Sequence, residues 1–310
     1  MLLNIEHSSV PTTDARLWTR ILSHYREPSW ARSIAELTIT ALSLVALWSA
    51  AWFAFSLGHW WASLLMTVPT AGFLLRLFMI QHDCGHGAFF SRRWANDWVG
   101  RVIGVLTLTP YDFWRRTHAA HHASSGNLDR RGLGDVKTLT VREYLARSLW
   151  RRLCYRLYRH PIVMFGIGPA YLFVLQQRLP VGMLRGGGWG PWLSTMATNF
   201  AIALVVAVLI WCVGVGPFLL VHLPITLIAG SVGVWLFYVQ HQFDPTFWAR
   251  DGESTPPRSG PVWQFALRPA GNSAVVHSEY RRAPYSPPAQ PHSLLPPAAS
   301  TPRPSRVPRV

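Results

Sequence analysis

Four runs of apolar residues constrain this chain more than anything else in it: 37–57, 60–80, 191–213 and 215–239. Each is close to the roughly 20 residues a helix needs to cross the hydrocarbon core of a bilayer. Backbone in hydrocarbon must satisfy its own N–H and C=O groups, so runs of this length fold as helices. The connections within each pair, at Gly58-His59 and at Gly214, are short. The expected fold class is an all-α integral membrane protein with four transmembrane helices in two hairpins. Charged residues make up 14% of the chain, against roughly 25% in soluble domains. Two weaker runs, 99–110 and 161–175, read as pieces that lie on the membrane or re-enter it.

The net charge of +15 alone would suit nucleic acid, but its distribution points elsewhere. Lys and Arg concentrate between Gln81 and Gly190, and the connections at Gly58-His59 and Gly214 carry none. This is the positive-inside pattern. It predicts that the N-terminus, the 81–190 loop and the C-terminal tail are cytoplasmic, with the basic loop near anionic headgroups. No nucleic-acid-binding module accompanies the charge, so no such partner is expected.

The chain divides into three parts. Residues 1–36 form a polar entry segment that carries Glu6, Asp14 and Glu27 and does not read as a signal peptide. Within it, 16–24 suits a short amphipathic helix at the membrane surface. Residues 37–253 hold the four spans and the 81–190 loop. Residues 254–310 contain more than half of the 24 Pro and show no helical or strand period, which predicts a disordered tail. Cys84, Cys154 and Cys212 have no CxxC spacing and imply neither a disulfide framework nor an iron–sulfur cluster.

Two histidine clusters sit in the loop: His82 and His86, then His118, His121 and His122. Residues four apart on a helix share a face, so a helix continuing from the second span stacks His82 on His86, and another stacks His118 on His122. Paired imidazoles on rigid helices can be aimed at one metal. Iron suits an all-imidazole set; zinc is a competitor, although structural zinc sites usually include Cys, and haem needs only one or two axial His. Asp83 is positioned to orient a ligating ring through its N–H. The isolated His7, His24, His59, His160 and His222 read as polar tips at the membrane interface.

Taken together, QHDCGHGAFF (81–90), the stretch ANDWVGRVIGVLTLTPYDFWRRTHAAHHASSGNLDRRGLGD (95–135) and FYVQHQFDPTFWARDGE (237–253) resemble the membrane fatty acid desaturase family. The closest resemblance is to its bacterial acyl-lipid or acyl-CoA Δ12-type branch, and it covers about residues 35–253. It implies a cytoplasmic helical cap that carries the His clusters on a bacterial inner membrane. It implies two irons held by three His clusters, with His241 matching a further ligand near the end of the fourth span. The implied reaction puts a cis double bond into an acyl chain with O2 and two electrons. Those electrons come from an external donor of the ferredoxin or cytochrome b5 type, because the chain shows no redox module of its own. Phe89, Phe90, Tyr111, Trp114, Phe237 and Tyr238 become candidate walls of an acyl channel, although ordinary interfacial aromatics would account for them equally.

The chain departs from that family after Glu253. The third cluster, expected as HxxHH, is missing; His277 and His292 stand alone in the Pro-rich tail. Read one base out of frame, the codons for 282–288 can encode Val-His-His-Ile-His-His-Leu, followed by a string compatible with Arg-Ser-Arg-Ile-Pro-Tyr-Tyr. Those for 263–270 can likewise encode Gly-Ser-Ser-His-Tyr-Asp-Leu-Pro. The expectation is therefore a frameshifted tail and a chain whose activity is impaired as given. Two other readings stand beside it: an alkane or carotenoid hydroxylase or ketolase of the same superfamily, and a non-catalytic membrane protein whose His only pack or bind metal weakly.

Overall fold

The computed structural model describes residues 27–124, 126–131, 136–180 and 189–241. The N-terminal amphipathic stretch and the whole 254–310 tail lie outside these residues, so their expected structure is not tested. Among the described residues the secondary structure is entirely helical.

Four helices are long and apolar enough to cross a membrane: α1 (Trp30–Ser56), α2 (Trp60–Gly85), α8 (Gly190–Val213) and α9 (Val215–His241). They coincide with the four apolar runs but extend beyond them. α1 starts at Trp30 rather than at the first apolar residue because its polar first turns are tied down. The Ser33 hydroxyl donates to the Phe89 carbonyl, and the Trp30 indole donates to Ser91 at 2.8 Å. α2 runs on to Gly85 and so carries His82 on its last turn.

Glycines end the first two helices by the same device. Gly58 (φ +83°) and Gly87 (φ +68°) adopt the left-handed conformation that side chains disfavour. The following amides reach back to the helix: His59 N–H to Ala54 O at 2.9 Å, and Ala88 N–H to Asp83 O at 2.9 Å. The second of these stops places His86 at the capping position of α2, four residues after His82.

Polar groups beside Pro69 and at Arg76 are matched inside the spans. Pro69 interrupts the hydrogen-bond ladder of α2, and beside the gap Thr67 and Thr70 donate to the carbonyls of Leu64 and Met66, each at 2.6 Å. Arg76 donates to Thr40 of α1 at 3.0 Å. By contrast, α8 is largely exposed, and beyond its first turns, which carry Ser194, Thr195, Thr198 and Asn199, it is apolar on all sides, as a helix facing lipid must be.

Between the second and third long helices lie α3 (Arg93–Leu106), α4 (Tyr111–Ser124), α5 (Val141–Leu145) and α6 (Leu149–Tyr158). Wide π turns follow at Val163–Ile167 and Tyr171–Leu175, on either side of the one-turn α7 (Gly168–Ala170), which contains Pro169. The run expected at 99–110 is the second half of α3 and the turn after it. α3 packs on α2 and shows Trp94, Trp98 and Val102 to the outside.

Candidate metal centre

The C-terminal end of α2 and the second half of α4 bring His82, His86, His118 and His122 together, with one ligand nitrogen from each within 4.8 Å of the others. The helical period accounts for each pair: the His82 and His86 rings lie 4.6 Å apart and those of His118 and His122 4.4 Å apart. Packing of α4 on α2 joins the pairs. His118 Nε2 stands 3.1 Å from His86 Nε2 and 3.0 Å from His122 Nε2. Nitrogens bound at about 2.1 Å to one metal lie about 3.0–3.4 Å apart, so these residues fit a shared ion.

Electrostatics suit the same purpose. Burial, reinforced by His82, His122, His86 and His121, pushes the His118 imidazole well below its ordinary range and keeps it neutral, the form that ligates. His82 Nδ1 lies 3.3 Å from Asp83 Oδ1. When His82 donates there, its Nε2 carries the lone pair that a metal would take.

His121 stands beside this group and outside it. It is 1% exposed, its ring lies 6.1 Å from that of His118, and Phe237 is 5.1 Å away on α9. His241 is the last residue of α9, and its side chain is not among those described.

The aromatic residues expected along an acyl channel take several different positions. Phe89 and Phe90 are buried against each other, their rings 4.9 Å apart. Tyr111 is fully buried over Gly100, where a Cβ would meet its ring at 2.3 Å. Trp114 stacks on His118 at 4.6 Å and fits against α2 because residue 85 is Gly; a Cβ there would lie 2.8 Å from the indole. Tyr238 meets Phe165 and Arg159. An apolar cleft lies elsewhere, between α2, the end of α3, the π turns and α9, with Leu74, Phe78, Phe173 and Ala229 on its walls. Phe78 connects it to the histidines, touching Trp114 edge-on at 5.6 Å.

Sequence reasoning missed the struts that hold the two clusters in register. The Tyr111 hydroxyl of α4 donates to the carbonyl of Cys84, between His82 and His86, at 2.9 Å, and lies 3.2 Å from Asp97. Burial and Asp97 raise its pKa, so it stays a donor. Asp97 also receives Arg115 at 3.3 Å. Asp112, in the first turn of α4, accepts from Arg101 of α3 at 2.9 Å and from Ser194 of α8 at 2.7 Å. Although burial alone would raise it, these bonds hold the Asp112 carboxyl below its ordinary range. Gln81 bridges α2 to the 107–109 turn, accepting from Thr107 at 2.7 Å and donating to Thr109 O at 3.2 Å. The available signal was scarcity: with 14 acidic residues against 29 basic ones, an Asp in a half-buried segment is expected to be paired.

Comparison with known proteins shows the family. The sequence model of the family described as "Fatty acid desaturase" matches residues 59–271, past Glu253 and short of His277. A fatty acid desaturase of Bacillus subtilis (strain 168) is 41% identical over 233 residues, 75% of this chain and 65% of that protein. An sn-1 acyl-lipid omega-3 desaturase (ferredoxin) of Synechocystis is 28% identical over 53% of this chain and 43% of its own length. An sn-1 oleoyl-lipid 12-desaturase of Anabaena variabilis is 32% identical over 34% of this chain and 27% of its own. The chain thus spans about two thirds or less of the relatives it matches. The family match over most of the chain, four membrane-length helices and a converging histidine cluster lead to one conclusion: this chain belongs to the fatty acid desaturase family.

Proposed function

We propose that this chain is built to desaturate acyl chains at a membrane, and that His82, His86, His118 and His122 hold metal there. The observation that carries this is the convergence of four imidazoles from two clusters remote in sequence. In this reading the metal is iron, two ions in the complete site, with His121 and His241 as the further ligands this chain offers. When bound, iron would supply the activation of O2 by which two hydrogens leave adjacent methylenes; two electrons from a ferredoxin or cytochrome b5 type donor and two protons would complete the release of both oxygen atoms as water. The chain's own groups do the rest. Asp83 orients His82. Trp114 covers His118 and excludes water from it. The apolar cleft ending at Phe78 receives part of the acyl chain of a lipid or a CoA ester.

The long helices form two hairpins in a bacterial inner membrane, and the His-bearing helices cap its cytoplasmic face. Arg and Lys between 81 and 190 support this orientation. After Glu253 the gene is out of frame by one base, the third cluster is absent, and the chain as given is impaired because its iron site is incomplete.

Iron analysis and fatty acid profiling test this together. The purified chain is expected to bind less than two irons and leave the lipids of a bacterial host unchanged. A version with the frame restored after the codon for Glu253 is expected to bind two and to produce a new double bond. Two irons in the chain as given would sink the impairment. A new oxygen in place of a double bond would favour a hydroxylase, and activity surviving His118→Ala would favour a non-catalytic role for the cluster.

A further inference from the structure

α6 is an amphipathic helix whose apolar side is exposed. Leu149, Trp150, Leu153 and Leu157 are 80%, 70%, 46% and 52% exposed, and at 3.6 residues per turn they fall on one side of the helix. Arg151 and Arg152 fall outside that side, and Arg156, seven residues after Leu149, sits at its edge. The polar side is also the attached side: Arg152 donates to Arg147 O at 2.9 Å, and the Tyr155 hydroxyl accepts from Leu139 N–H at 3.3 Å. Arg151 and Arg156 remain exposed.

The height of α6 relative to the spans follows from its C-terminal end. Its capping residue, Arg159, donates to the Tyr238 hydroxyl at 3.3 Å and lies over that ring at 5.2 Å. Tyr238 is in the last turn of the 27-residue α9. A helix of that length is about 40 Å long and a hydrocarbon core about 30 Å thick, so the last turn stands at headgroup level. A Tyr–Arg pair is a usual anchor there.

We propose that α6 lies in the plane of the membrane surface, with Leu149, Trp150, Leu153 and Leu157 in the acyl boundary and Arg151 and Arg156 on the phosphates of anionic lipid. The charge would suit an acidic electron-transfer protein equally. The four large apolar side chains beside it, at the height of the headgroups, select lipid.

Cys154 is exposed on α6 and Cys84 is buried, so one substitution, Cys212→Ser, leaves a single labelling site. A nitroxide there, in the full chain reconstituted into nanodiscs, reports depth through its relative accessibility to oxygen and to a water-soluble nickel complex. In phosphatidylglycerol discs the label is expected at interface depth. Arg151→Gln with Arg156→Gln shifts it toward water, by roughly 5-fold in partitioning for each arginine removed. In pure phosphatidylcholine the unsubstituted protein is expected to behave like that variant. A label equally deep in both lipids overturns the anionic preference. One that stays in water in both overturns the proposal, and protection only on adding an acidic ferredoxin overturns it in favour of protein docking. The outcome does not depend on whether the chain desaturates anything.

Discussion

Between Gln81 and Ser124 polar side chains are committed to other parts of the protein, whereas between Val141 and Tyr158 the contacts are local and the large apolar side chains face outward. In the first region Tyr111 reaches the backbone between His82 and His86, Asp112 reaches α3 and α8, and Gln81 reaches the 107–109 turn. In the second, α5 is closed by its own capping box, in which Thr140 and Glu143 satisfy each other's backbone amides. No residue of α5 or α6 is buried. One region is a clamp that must hold four rings within a few ångströms, and the other is a surface. The difference teaches where this chain tolerates change.

The largest effect is expected at the centre of the clamp. His118 is the ring whose Nε2 lies near 3 Å from both His86 and His122, so His118→Ala removes the atom that joins the two pairs. Replacing groups that merely orient ligands costs about 10–100-fold in metal affinity, and losing this ligand is expected to cost at least about 100-fold. Titration of the purified chain with Co(II), followed by its visible absorption, checks this. Retained affinity would mean that the pairs bind independently.

The same ring sets a pH dependence. Its folded pKa lies below the ordinary 6.5, chiefly through burial, so below about pH 6.5 the unfolded chain takes up a proton that the folded chain does not. Stability of the metal-free protein therefore falls as pH drops through that range and is recovered above it. His118→Gln is expected to flatten the slope in thermal unfolding measured from pH 5 to 8.

Next come the backbone approaches that let α3 and α4 close on α2. Gly100→Ala puts a methyl 2.3 Å from the Tyr111 ring, and Gly104→Ala puts one 2.5 Å from the Thr109 carbonyl oxygen. Overpacking of this kind costs about 1–3 kcal/mol. Gly104 is expected to be the more damaging site, because a backbone carbonyl gives way less readily than a ring. Tyr111→Phe keeps the ring and removes the donor to Cys84 O and Asp97, at about 1–3 kcal/mol. Its metal affinity is expected to fall while helix content by circular dichroism stays constant, and unchanged affinity would show that the strut serves stability alone.

How much of this was legible in the sequence follows the same division. The spans were legible because hydrophobic length is a direct consequence of bilayer thickness. The pairs His82–His86 and His118–His122 were legible because a helix repeats every 3.6 residues. The union of the pairs was expected, but the struts that hold it were not legible, because they depend on tertiary packing and on a side chain meeting a backbone carbonyl, and a carbonyl carries no residue identity. Whether Phe89, Phe90 and Tyr111 wall a channel stayed open for a related reason. Aromatic type alone does not distinguish a wall of a cleft from packing beneath a glycine. The start of α1 at Trp30 escaped as well, since Ser33 turns inward only because Phe89 arrives from far along the chain.

The smallest effect is expected on the surface side, at Glu143. Arg131 first, then the Thr140 backbone amide, lowers its carboxyl to about 2, a large shift that a reading by pKa alone would take for a large contribution. Both side chains are near the surface, that of Glu143 28% and that of Arg131 20% exposed, where ion pairs contribute about 0–1 kcal/mol and are screened by salt. The sign is that of a depressed carboxyl: the contribution is present above the ordinary 4.5 and is lost as pH falls toward about 2. Glu143→Gln keeps a side-chain oxygen for the Thr140 amide and removes the charge, so it separates the cap from the pair. Its unfolding temperature at neutral pH and low salt is expected to fall by no more than a degree or two, and by less at high salt. A loss comparable to that of Tyr111→Phe would mean that α5 is clamped like α4, and the contrast between the two regions would fail.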